Sequence, residues 1–200
     1  FSQKERQQLH IVEDVLDKEL LIDIFYKLKP NVVINCLGVD VGNTSISQLI
    51  RVFGWFPQTL SNLCNLRNIR LIHVSTDGVF SGKHGRYLET DFPDAIDDYG
   101  ITKMLGENFI WQGDKHLCIR TSFIGPSLRG DRGLLDWFLG STKPCEGYKD
   151  YYFSGISTLE FSRIIAKSII PNKNLCGLYH IGSQRISKFD LLTLIKRIYG

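Results

Sequence analysis

The chain has 200 residues with a net charge of +3 at pH 7, 43% hydrophobic and 22% charged residues. That length suits one domain, or one with a small annex, and the composition is that of a soluble globular protein. Lysines and arginines are scattered and give no case for nucleic acid. No apolar run approaches the ~20 residues of a membrane span. The five cysteines, at 36, 64, 118, 145 and 176, form no C-x-x-C pattern. They read as reduced thiols, with Cys36 and Cys118 small buried hydrophobes in strands, and not as metal ligands.

In chain order, residues 9–12 suggest a short strand. Asp17 is an N-cap for a helix over 18–28, whose Leu20, Leu21, Ile24, Phe25 and Leu28 share one face. Pro30 ends it. Residues 31–37 read as a buried parallel strand stopping at Gly38. A long helix is predicted over 46–66, interrupted near Gly54 and Pro57, with Trp55, Phe56 and Leu60 in the core. The next strand runs over 70–75. The Gly-, Pro- and Asp-rich loop 81–97 is long enough to suggest function. Asp97 or Asp98 then opens another helix. Strand 116–122, a glycine-spaced basic loop over 125–133, a short helix 134–139 and an irregular, Tyr-rich stretch 141–155 follow. A helix capped by Thr158 runs to 169, then a strand over 177–182 and a helix over 188–199 capped by Ser187. Strand–helix alternation to residue 122 argues a parallel α/β sheet with right-handed crossovers. Ligands bind beyond the carboxyl ends of such strands, where Gly38, Thr76 and Ser122 fall.

The chemistry concentrates between residues 71 and 103. An apolar run, Leu71-Ile72-His73-Val74, stops at Ser75-Thr76-Asp77. Later, Tyr99-Gly100-Ile101-Thr102-Lys103 sets a phenol and an ammonium four residues apart, on one face if helical. A phenol with its ordinary pKa of about 10 is a poor acid at neutral pH, and a nearby ammonium lowers that value.

The run Val74-Ser75-Thr76-Asp77-Gly78-Val79-Phe80-Ser81-Gly82, then Tyr87-Leu88-Glu89-Thr90-Asp91 and Tyr99-Gly100-Ile101-Thr102-Lys103-Met104-Leu105-Gly106-Glu107, resembles the dTDP-4-dehydrorhamnose reductase family of extended short-chain dehydrogenases/reductases. Ile119-Arg120-Thr121-Ser122-Phe123-Ile124-Gly125 is similar to its next motif. The resemblance implies a Rossmann-like, doubly wound parallel sheet. Residues 1–125 would be the remainder of an NAD(P)-binding domain, and 126–200 a smaller, mostly helical nucleotide-sugar-binding part packed on it. It assigns Thr76 to the substrate carbonyl, Tyr99 to proton donation, and Lys103 to lowering the Tyr99 pKa and holding the nicotinamide ribose. Asp14 and Val15 match the position that reads the adenine, and Cys36, Leu37 and Gly38 the turn beside the cofactor. Asp77 and Phe123 match positions near the sugar. Arg129 and Arg132, in the basic loop, suit a diphosphate through bidentate guanidinium contacts.

The sequence departs from the family in four places. Gly78 stands where the family has Tyr, Phe123 where it has Trp, and Phe53 where it has Asn. No glycine-rich phosphate fingerprint follows a strand. Because the sole methionine is Met104, that fingerprint is expected upstream of Phe1. The resemblance therefore implies an NADP-preferring (or NAD-using) reductase of a nucleotide-linked 4-keto-6-deoxy sugar, a dTDP-4-dehydrorhamnose or UDP-4-keto-6-deoxy-HexNAc type of substrate. It would act in the cytoplasm in surface-polysaccharide precursor synthesis, with a homodimer as one assembly. A nucleotide-sugar epimerase or dehydratase of the same superfamily, or a non-catalytic nucleotide-sugar-binding subunit, stays open. Dehydratases usually carry Glu where Gly78 follows Asp77.

Overall fold

The computed structural model describes residues 12–110, 115–127 and 133–199. Helix α1 (Lys18–Leu28) begins where the Asp17 carboxylate accepts the Leu20 N–H, and ends at Lys29 in the left-handed region, before Pro30. Strand β1 (Val32–Asn35) follows. The predicted helix over 46–66 is one rod of three parts. These are α2 (Ile46–Leu49), a π-helical stretch (Ile50–Trp55) and α3 (Phe56–Leu66). The anticipated interruption is thus a local widening and not a break. Strand β2 (Arg70–Thr76) is buried throughout. Helix α4 (Asp98–Glu107) starts at Asp97, whose carboxylate accepts the Gly100 N–H. Strands β3 (Leu117–Thr121) and β4 (Phe123–Ile124) lead to α5 (Leu134–Gly140). Then come β5 (Tyr152–Phe153), β6 (Ile156–Ser157), α6 (Thr158–Ile164) with a π-helical extension (Ile165–Ile169), β7 (Gly177–Ile181), β8 (Ile186–Ser187) and α7 (Lys188–Tyr199).

The main sheet has order β1-β2-β3-β7, all parallel. Side chains alternate across it, as strand geometry requires. Leu71 and Cys118 join Leu21, Phe25, Phe56, Leu60 and Cys64 on one face. Ile72, Val74, Leu117 and Ile119 join Ile156, Phe161, Ile165 and Ile169 on the other. Helices therefore cover both faces, as a doubly wound α/β sheet demands. A third cluster, Leu135, Phe153, Leu191, Leu192 and Ile195, holds α5 and α7 beside the small β5–β8 pair.

Three expectations change. Trp55 is 53% exposed, because the widened turn rotates it away from the core that Phe56 and Leu60 enter. Cys36 is exposed, one residue past the end of β1, while Cys118 is fully buried. The α6 cap is Ser157, whose hydroxyl accepts the Glu160 N–H, and not Thr158. The strand expected over 9–12 lies outside the described residues except for Val12. Among the described residues no helix is long and apolar enough to cross a membrane.

Candidate active site

Strand β2 delivers Thr76 to the sheet's carboxyl edge, where its Oγ1 accepts the Gly78 N–H at 3.0 Å and caps the single turn Asp77–Val79. Helix α4 lies directly on that turn. Its Gly100 occupies space where any Cβ would strike the Gly78 carbonyl and Ala95, so only glycine permits the approach. The consequence is convergence around Gly78. A Cβ there would sit 3.3 Å from Thr76 Oγ1 and 3.4 Å from the Tyr99 ring. The helical spacing expected for Tyr99 and Lys103 holds, and both face β2. Lys103 is 4% exposed and its ammonium donates to the Val74 carbonyl at 2.9 Å.

The electrostatics differ from expectation in one respect. Burial pushes the Tyr99 phenol above its usual value, the Thr76 hydroxyl pulls it down, and Asp77 and Asp97 push it up. The anticipated lowering by Lys103 is not among these causes; its ammonium donates to the Val74 carbonyl and lies over the Phe53 ring, 5.1 Å from its centroid. Burial likewise pulls Lys103 below the ordinary lysine range, against the opposing pull of Cys118, Glu107 and Cys36.

At the end of β1, the Asn35 side chain accepts the Leu37 N–H at 3.1 Å and meets His73 Nδ1 at 3.0 Å. With the Asn35 oxygen so used, its NH2 donates and His73 Nδ1 accepts. Burial, then Lys103, drives His73 down to about 3. This turn leaves Cys36 exposed and Gly38 with open space around it. Those features suit a ligand edge lying against the backbone of residues 36–38. Asp14 accepts the Leu16 N–H and pairs with Arg51 at 2.9 Å, while Val15 packs at the rim of the core.

A cleft of about 610 Å3 opens beside Asp77 and Gly78, beyond the carboxyl ends of β3 and β7. The loop 81–97 forms one wall. It is tied by Ser81 to Asp94 and by Glu89, which accepts the His180 N–H at 2.8 Å. The other wall holds Tyr151, Tyr152, Arg185 and Lys188. Phe123 does not line this cleft; it packs edge-on against Phe161 at 4.8 Å. Arg129 and Arg132 lie outside the described residues.

Sequence reasoning missed five side chains. Arg185 and Lys188 line the cleft, and burial lowers the Lys188 ammonium while Asp77 raises it. The buried Arg120 meets Glu107, a residue whose place one turn beyond Lys103 was the available signal. Thr121 Oγ1 is buried at the cleft wall with no partner among the described residues.

Comparison with known proteins identifies the family and the fold. Residues 3–135 match the family described as RmlD substrate binding domain. A probable low-salt glycan biosynthesis reductase of Haloferax volcanii is 35% identical over 187 residues, covering 88% of this chain and 61% of that protein. A dTDP-4-dehydrorhamnose reductase of Aggregatibacter actinomycetemcomitans is 34% identical over 115 residues, 55% of this chain and 39% of the relative. The chain thus spans less than two thirds of the length of both relatives. The crystal structure of a hypothetical dTDP-4-dehydrorhamnose reductase from Sulfolobus tokodaii superposes with a TM-score of 0.82 at 26% identity, over 96% of this chain and 71% of that one.

Proposed function

The chain belongs to the RmlD substrate binding domain family, and on that premise we propose that it is the catalytic part of an NAD(P)H-dependent reductase of a nucleotide-linked 4-keto-6-deoxy sugar. The observation that carries this reading is the meeting of Thr76 and Tyr99 at Gly78, beside a cleft at a strand's carboxyl end, with Lys103 one helical turn on and bonded to the Val74 carbonyl of the same strand.

When bound, the nicotinamide cofactor supplies the hydride. In this reading the backbone of Cys36, Leu37 and Gly38 and the Tyr99 and Lys103 side chains hold its ribose end. Asp14 and Val15 stand at the adenine end. The Thr76 hydroxyl orients the sugar carbonyl oxygen and Tyr99 donates the proton to it, a general-acid role. Binding that draws the Lys103 ammonium from the Val74 carbonyl toward the phenol would lower the Tyr99 pKa from its raised resting position. Asp77 borders the cleft and would contact the sugar, whereas Phe123 on β4 is packed against Phe161 outside its lining. Arg185 and Lys188, together with Arg129 and Arg132, supply positive charge for the diphosphate. Residues 126–200 serve as the nucleotide-sugar side, while lending β7 to the main sheet.

A cytoplasmic location, a place in surface-polysaccharide precursor synthesis and a homodimer belong to the same reading. Gly78 beside Asp77, where a dehydratase would carry Glu, favours the reductase over that relative. The test is oxidation of NADPH by the full-length protein in the presence of a dTDP- or UDP-linked 4-keto-6-deoxy sugar. Turnover of one of these supports the assignment; no oxidation with either would refute it.

A further inference from the structure

Phe53 sits in the π-helical stretch Ile50–Trp55 and is 3% exposed. Its ring stands at 81° to the Tyr99 ring, 5.5 Å between centroids. The Lys103 ammonium lies over the same ring, 5.1 Å from its centroid. Two close approaches press this stretch onto α4. A Cβ at Gly106 would strike the Phe53 carbonyl, and one at Gly54 would come within 2.8 Å of Leu105. The widened turn is therefore clamped where it inserts Phe53 between the two functional side chains, a placement typical of π-bulges at functional sites.

The Lys103 ammonium is short of partners. Its hydrogen bond goes to the neutral Val74 carbonyl, and among the described residues no carboxylate lies within ion-pair distance. A buried ammonium needs compensation, and the negative face of an aromatic ring supplies it.

We propose that Phe53 is a positioning residue for the Tyr99–Lys103 pair, its ring face keeping Lys103 charged and in place while its plane fixes the orientation of the Tyr99 ring. This rests on the reading of Tyr99 and Lys103 as the reacting pair. The other titratable groups facing Lys103 are Glu107 on its own helix, Cys36 beyond β1, Cys118 on β3 and His73 on β2. His73 is neutral, and burial pushes both thiols up, Cys118 well above its ordinary value. Glu107 is already engaged by Arg120. The ring is thus the counterpart that Lys103 does not share with another cation.

The test replaces Phe53 with 4-fluoro-, 3,5-difluoro- and 3,4,5-trifluorophenylalanine, which weaken the ring's negative face in steps with little change of shape. Lys103 is then titrated in the cofactor-free protein by NMR of labelled lysine, its signal assigned by loss in Lys103→Met. The expected result is a midpoint that falls with each fluorine. Turnover should drop in the same order, roughly three- to tenfold at the trifluoro step, with KM for the sugar unchanged. A midpoint that stays flat across the series overturns the proposal whatever the turnover does. Full turnover in Tyr99→Phe would instead overturn the reading on which it rests.

Discussion

The Arg120 guanidinium and the Glu107 carboxylate meet at 2.8 Å with their side chains 4% and 1% exposed. Arg120 Nε also reaches both carboxylate oxygens at 3.1 Å, and the Ser75 hydroxyl donates to Oε1 at 2.5 Å. The outer side of the guanidinium lies over the Phe80 ring and beside His180 Nε2. One pair thereby ties α4 to β2, β3, β7 and the start of the loop over the cleft.

Removing one partner of that pair leaves the other charge buried and uncompensated. Glu107→Ala should destabilise the fold by about 3–5 kcal/mol. Replacing both, as Glu107→Leu with Arg120→Met, should recover much of the loss, since a well-packed apolar pair often matches a buried ion pair. Urea unfolding of the single and double variants measures both values. A double variant no better than the single would show that Ser75 and His180 depend on the charges.

Tyr99→Phe should keep the fold and lower turnover by roughly two to four decades, the span of a general acid. The phenol hydroxyl is removed while the ring contact with Phe53 is preserved. Circular dichroism and steady-state rates with the full-length protein check the two halves. Wild-type rates would remove Tyr99 from the chemistry.

Stability should fall below neutral pH through His73. Its folded pKa is about 3, against an unfolded value of about 6.5. Above pH 6.5 the group is neutral in both states and contributes no pH dependence. Below that, the unfolded chain takes up a proton that the folded chain refuses until pH 3. Each pH unit in this window should cost about 1.4 kcal/mol from this group. Burial lowers His116 and His180 as well, so the observed slope is a sum. His73→Leu should flatten the dependence of unfolding free energy on pH by about one proton, measured from pH 7 to 4. An unchanged slope would rule out a buried neutral His73.

The cleft's cations predict a binding defect without a chemical one. Lys188→Met and Arg185→Ala should each weaken nucleotide-sugar binding by about 1.5–3 kcal/mol, as for a hydrogen bond to a charged group. Their contacts would be equal in ground and transition states, so KM should rise and kcat hold. The KM defect should shrink with added salt. The same kinetics apply to Arg129→Ala and Arg132→Ala. An unchanged KM in all four variants would leave the diphosphate without its proposed partners.

The sequence by itself determined the features set by local rules. The continuous buried strand over 70–76, the caps at Asp17 and Asp97, and the stop at Pro30 follow from neighbours within a turn or a strand. The same holds for the shared face of Tyr99 and Lys103, because four residues is one helical turn wherever the helix sits. Only the tertiary structure decided what depends on partners distant in the chain. Trp55 was expected inside and faces out, since one widened turn shifts the helical face and nothing in its own tripeptide marks it. Phe53 is 46 positions before Tyr99 and touches it only because glycines 54 and 106 let two helices close. Arg120 finds Glu107 across the β3–α4 contact, and β7 joins the sheet from 56 residues beyond β3. These pairings are selected by the packing of whole elements, which residue spacing does not encode.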